Sequence, residues 1–98
     1  MDSALMIDCS HANSEKDFRN QPKVCEAIGQ QIAGGDTSIR AVMIESHLNK
    51  GAQKISSDLD SLDYGVSVTD SCVGWEATVE MLNQLASDVR KRRATFLA

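Results

Sequence analysis

The chain has 98 residues, a formal net charge of -4, 42% hydrophobic residues and 4% aromatic ones, which allows one small domain and excludes a second. An acidic chain with few aromatics lacks the footprint of a nucleic-acid-binding surface, and no apolar run approaches the ~20 residues that span a membrane. Cys9, Cys25 and Cys72 are an odd set without CxxC pairs, so they read as reduced thiols of a cytoplasmic protein, and the run ALMI behind Asp2 is too short for a secretory leader.

The first predicted element is a strand over Ala4 to Cys9 (ALMIDC), and Ala41 to Ser46 (AVMIES) predicts a second. Both runs are continuously apolar rather than alternating, the mark of parallel strands covered on both faces. Between them Asn20, Gln21 and Pro22 open a helix, proline being tolerated in a first turn whose N–H groups have no partner. Val24, Ile28 and Ile32 recur every fourth residue, Cys25 and Ala33 widen the stripe, and Gly34 and Gly35 stop it.

After the second strand come roughly two dozen residues with little periodicity, a length more often found in functional loops than in plain connections. Within them YGVSVTD alternates, which predicts a short extended segment leading to Asp70. A second helix is predicted from about Gly74 to Arg93, with Trp75, Val79, Leu82, Ala86 and Val89 as its apolar stripe. Trp75 reads as an anchor of that helix. The run Arg90, Lys91, Arg92, Arg93 falls in its last turn, where solvated cations complement the helix dipole.

The order is therefore β-α-β-loop-α in one partial domain, residues 1–98. Two helices cannot cover both faces of two apolar parallel strands. The expectation is a piece of a larger parallel α/β protein, Met1 standing almost directly before a strand of the buried type. Alternatively the open strand edges drive self-association into a homo-oligomer.

His11, Glu45 and Asp70 each stand where an apolar run gives way to a polar loop. In parallel strand–helix proteins the chemistry collects at the carboxyl ends of strands, so these three are the first candidates for a site. Each also has a purely structural reading. His11 can hydrogen-bond to Asn13, Ser14 or backbone, Glu45 can be a solvated carboxylate, and Asp70 can cap the next helix. Spacings of 34 and 25 residues form no local metal motif. His47 is a candidate only for the surroundings of such a site.

MIDCSHAN (6–13), MIESHL (43–48) and YGVSVTDSCVGWE (64–76), with QPKVCEAIGQQIAGG before the second strand, closely resemble the carboxyl-terminal part of the type I 3-deoxy-D-arabino-heptulosonate 7-phosphate (DAHP) synthases. The resemblance covers essentially the whole chain in one order. It implies an α/β fold that forms the last two strand–helix units, about a quarter, of a TIM-type (β/α)8 barrel. It also implies a part in the first step of the shikimate pathway to aromatic amino acids, the condensation of phosphoenolpyruvate with erythrose 4-phosphate.

By the same resemblance His11, Glu45 and Asp70 are three of four ligands to a divalent metal, a set that suits manganese, iron, cobalt or zinc. The metal polarises the sugar aldehyde or activates water. The fourth family ligand, a cysteine, and the basic residues that grip the substrate phosphates lie upstream and have no counterpart here. Cys9, two residues before His11, is a conceivable substitute ligand, though core filling is the ordinary role of such a thiol. Asn49, Gly51 and Gln53 fall in a turn resembling the family's, with Ala52 where a more polar residue is expected. The isolated chain is expected to be inactive. Its alternatives are a non-catalytic remnant acting as an assembly or interaction module, and part of a related barrel synthase using another phosphosugar.

Overall fold

The computed structural model describes residues 4–15, 17–55 and 57–97. In chain order they form β1 (Leu5–Asp8), 3-10 turns at His11–Ser14 and Phe18–Asn20, α1 (Gln21–Ala33), β2 (Ile39–Met43), a 3-10 turn at Leu59–Ser61, and α2 (Trp75–Leu97). β1 and β2 pair in parallel, Met6 opposite Ala41 and Asp8 opposite Met43, and the ladder continues through the Cys9 N–H to the Met43 carbonyl at 2.8 Å. A register shift between Leu5 and Met6 lets Ile39, Val42 and Ile44 all turn toward the helices.

Both strands are shorter than the apolar runs predict, and β2 is displaced toward its amino end. Ser38 explains the early start, because its carbonyl already accepts the Leu5 N–H at 2.7 Å. Gln21 explains the early stop: its side chain takes both backbone groups of Glu45 and so replaces a strand partner there.

α1 begins and ends as its sequence predicts. Pro22 sits in the first turn, and Gly35 closes the helix at φ +108°, a left-handed conformation that glycine adopts without strain. Cys25, Ile28 and Ile32 are buried on one side, joined by Cys9, Ile39, Val73, Met81 and Leu85 in a single apolar cluster. The three cysteines are free thiols, all buried.

Of the expected stripe of α2, Val89 packs against the core within this chain, but the helix is turned so that most of the stripe faces away. Thr78, Met81, Leu85 and Asp88 are buried, whereas Trp75 is 58% exposed and Leu82 50% exposed. The reason is the partner. α2 crosses α1 at Gly29, where an added Cβ would run into the side-chain ends of Asp88 and Gln84. Gln84 Nε2 donates to the Cys25 carbonyl at 3.1 Å and to Asp88 Oδ2 at 2.9 Å. That polar knot fixes which side of α2 faces inward, and the more apolar side, with Trp75, stays open.

The sheet is likewise covered on one face only. Met6 is 63% and Met43 39% exposed on the side away from the helices. The radius of gyration, 16.1 Å, exceeds the roughly 13 Å of a compact domain of this length. No helix among the described residues is long and apolar enough to cross a membrane.

α2 runs on to Leu97, so the basic run lies a turn before its end. Arg92 Nη1 donates to the carbonyls of Asp36 (2.9 Å) and Ile39 (3.3 Å), tying α2 to the entry of β2. Arg92→Ala removes these charge-assisted bonds and is expected to lower stability by about 1–2 kcal/mol. Urea denaturation of the two proteins measures it.

Candidate metal centre

Parallel pairing brings the carboxyl ends of β1 and β2 side by side, which places His11 and Glu45 together. His11 lies three residues past β1 with φ +51°, a left-handed conformation uncommon outside glycine but several-fold enriched for histidine. Its Nε2 stands 3.0 Å from Glu45 Oε1 and 3.1 Å from Asp70 Oδ2. One ligand atom from each of His11, Glu45 and Asp70 lies within 4.8 Å of the others.

Asp70 arrives by a different route. The long loop is not loose: Val73 N–H donates to the Glu45 carbonyl at 2.9 Å and His47 N–H to the Val73 carbonyl at 3.0 Å, a one-residue parallel bridge beside β2. Gly51 pairs with Cys72 and Ala52 with Ser67. Asp70 thus sits in a bend between two bridges, not at the end of an extended segment, and it is not the cap of α2, which starts at Trp75. Asn49 and Gln53 serve the same stitching: Asn49 Nδ2 donates to the Tyr64 carbonyl at 2.8 Å, and Gln53 Nε2 to the carbonyls of Asp63 and Val66. Gly51, at φ +93°, makes the turn possible.

Three residues that sequence reasoning passed over hold the cluster. Asp8, the last residue of β1, places Oδ2 2.9 Å from His11 Nδ1. Ser10 Oγ lies 3.0 Å from the same nitrogen, and both its N–H and hydroxyl go to Asp8 Oδ1. Gln21, fully buried, donates from Nε2 to the Glu45 carbonyl (3.1 Å) and accepts the Glu45 N–H at Oε1 (3.0 Å). Asp8 carried a faint signal, an acid three residues before a histidine at a strand end. Gln21 carried none, because an amide in a first helical turn looks like any solvated residue.

Cys9 is not part of the cluster. It is fully buried among the apolar side chains on the helix face of β1, beside Cys25, so it fills the core and supplies no ligand. The sharp turn at Ser10 and His11 breaks the alternation that would have put Cys9 and His11 on one side. His47 is also outside it: its Nδ1 accepts the Leu48 N–H at 2.8 Å in an exposed loop.

The cluster opens on a cleft of about 190 Å³ lined by Ser10, His11, Ser14, Phe18, Gln21, Glu45, Asp70 and Ser71. Among the described residues its lining holds no lysine or arginine. The Asp8 carboxylate, then the Asp70 carboxylate, then the charge of Glu45 raise the His11 pKa above the ordinary histidine value. Hydrogen bonds from Ser10 and then His11 hold the Asp8 carboxyl below the usual range. Two carboxylates facing one nitrogen leave more negative charge than an imidazolium proton can balance, and a dication fits that charge and that mixed nitrogen and oxygen donor set.

The DAHP synthetase I family matches this chain over residues 1–83. A putative phospho-2-dehydro-3-deoxyheptonate aldolase of Schizosaccharomyces pombe is 55% identical over 92 residues, 93% of this chain and 25% of the relative. The phenylalanine-inhibited phospho-2-dehydro-3-deoxyheptonate aldolase of Saccharomyces cerevisiae is 53% identical over 91 residues, 91% of this chain and 25% of its own length. The solved phospho-2-dehydro-3-deoxyheptonate aldolase of Francisella tularensis SCHU S4 superposes with a TM-score of 0.85 at 48% identity, covering 91% of this chain and 25% of that one. The chain thus spans about a quarter of the length of the relatives it matches.

Two outcomes follow from the geometry. Gln21→Leu leaves the Glu45 N–H without its partner and takes from the Glu45 carbonyl one of its two donors, the Val73 N–H remaining, which costs about 1–3 kcal/mol, measurable by chemical denaturation. In the metal-free protein the His11 imidazole is expected to titrate above an ordinary histidine, and Asp70→Asn to lower that midpoint, both read by NMR. The sign follows: a raised folded-state pKa stabilises the fold below the unfolded value and is lost as pH rises through the folded one. Because a metal competes with the proton on Nε2, divalent-metal affinity should rise over the same interval.

Proposed function

The chain belongs to the DAHP synthetase I family, and on that premise we propose that it forms one wall of the metal centre of a cytoplasmic DAHP synthase. In this reading residues 1–98 are a partial domain, the last two strand–helix units of a (β/α)8 barrel, whose remaining strands cover the open sheet face at Met6 and Met43. The reaction is the condensation of phosphoenolpyruvate with erythrose 4-phosphate that begins aromatic amino acid synthesis. His11, Glu45 and Asp70 are the metal ligands this chain contributes. The observation that carries the reading is their convergence, from three separate segments, to within 4.8 Å.

A manganese, iron, cobalt or zinc ion bound there supplies a Lewis acid to the aldehyde or to water. The protein's part is to present the ligands. Nε2 of His11 must be free of its proton to bind a metal, while Glu45 and Asp70 bring the negative charge that holds a dication. Gln21 keeps the Glu45 peptide from turning, so its carboxylate stays over the cleft. Phe18 closes the apolar side of the cleft. Two phosphorylated substrates need cations, and in this reading those groups come from other parts of the full-length enzyme, as does the fourth ligand. The cleft is also smaller than the roughly 300–1,000 Å³ of a complete small-molecule site. The chain alone is therefore inactive in this reading.

A second reading, a non-catalytic module that docks on other copies or partners, is favoured by the open sheet face and by Trp75 on the outer side of α2. Substituting residues 4–97 for the matching segment of the S. cerevisiae relative separates the two. The barrel reading expects a chimera that releases phosphate from the two substrates with added manganese, stops with a chelator, and loses more than about a hundredfold on His11→Ala. A folded but inactive chimera, or full activity after His11→Ala, contradicts it.

A further inference from the structure

Asp8 is assigned no part by the ligand set, yet its carboxylate faces the one ring nitrogen that the proposed metal site does not use. We propose that Asp8 is a positioning residue: it fixes the tautomer and the ring orientation of His11, so that the Nε2 lone pair is aimed between Glu45 and Asp70. This extends the metal reading above and rests on it for its purpose, though not for the effect on the ring.

The geometry argues it atom by atom. A neutral imidazole carries its proton on one nitrogen and a lone pair on the other, and only the lone pair binds a metal. Asp8 Oδ2 lies 2.9 Å from Nδ1 and, as a carboxylate, can only accept. Ser10 Oγ lies 3.0 Å from Nδ1, but its hydroxyl hydrogen is given to Asp8 Oδ1, so it too offers a lone pair. Both neighbours of Nδ1 therefore demand a hydrogen, as the Glu45 and Asp70 carboxylates do at Nε2, and Asp8 tips the neutral ring toward Nδ1–H, the form that leaves the Nε2 lone pair to a metal. The carboxylate is itself held. It ends β1 opposite Met43, its Oδ1 accepts the Ser10 N–H at 2.7 Å, and Asn13 Nδ2 donates to its backbone carbonyl at 2.7 Å. The left-handed backbone of His11 sets the ring with Asp8 behind and the two carboxylates in front. A carboxylate behind a ligating histidine commonly changes metal affinity 10–100-fold.

His47 supplies an internal reference, since its Nδ1 accepts the Leu48 N–H and must be the lone-pair nitrogen. The two histidines of the chain are expected in opposite tautomers. Long-range proton–nitrogen NMR spectra of the metal-free 98-residue chain, recorded above the titration that the same spectra locate for each ring, read this directly. Calorimetric titration with manganese at neutral pH reads affinity.

Asp8→Asn, nearly isosteric, and Asp8→Ala should both move His11 toward the Nε2–H tautomer, leave His47 unchanged, and weaken manganese about 10–100-fold. Ser10→Ala should keep the Nδ1–H tautomer and weaken the metal by less than about threefold. An unchanged His11 tautomer in both Asp8 variants overturns the proposal, as does a Ser10→Ala chain that reproduces their whole loss. If the parent chain binds no manganese, the metal reading fails, and the tautomer comparison still decides the role of Asp8.

Discussion

The parallel pairing of β1 and β2 is the constraint on which the rest depends. Two parallel strands end on the same side of a sheet, so His11 and Glu45 come together although 34 residues separate them. A parallel pair also requires a crossover, here the segment containing α1, and the first residue of α1 is Gln21. Its amide is thereby placed where Glu45 leaves the ladder, and it takes over the two hydrogen bonds that β1 no longer supplies. One topological requirement thus positions Glu45 beside His11 and also the residue that steadies it.

The second arm of the site is built from weaker material. Asp70 is held in place by single-residue bridges at Ser46–Val73 and Gly51–Cys72 rather than by a strand. Single bridges supply fewer backbone hydrogen bonds than a helix or a ladder, and Val73, buried in the apolar cluster, secures this segment. His11 is the hub that joins the two arms: Asp8 lies behind its ring, and Glu45 and Asp70 in front. Its raised pKa follows from that crowd of carboxylates. Without a cation the cluster is a concentration of like charge, which is the physical reason a dication suits it.

The same topology leaves surface uncovered. Both helices pack on one side of a two-stranded sheet, so Met6 and Met43 on the other side, and Trp75 and Leu82 on the outer side of α2, meet solvent. The apolar run of each strand suits a setting with cover on both faces, and the relatives of this chain are about four times as long. The interior that does form is held by a mixture of apolar contacts and the polar knot of Gln84, Asp88 and the Cys25 carbonyl around Gly29.

Much was legible in the sequence, because local signals are strong where they are backbone signals. Pro22 and the glycine pair bound α1 to the residue, the continuous apolar runs announced parallel strands, and the positions of His11, Glu45 and Asp70 at the ends of apolar runs singled them out as a set. What the sequence left open were matters of partner and direction. The inward face of α2 was decided by its crossing with α1 at Gly29, not by its own most apolar stripe. Cys9 went into the core because the chain turns sharply at Ser10. Asp8 and Gln21 acquired their roles only when distant segments met. Periodicity reports which residues share a face, but the neighbour that face meets, and which atoms of a polar side chain find partners, are set by contacts between segments far apart in the chain, and those exist only in the folded molecule.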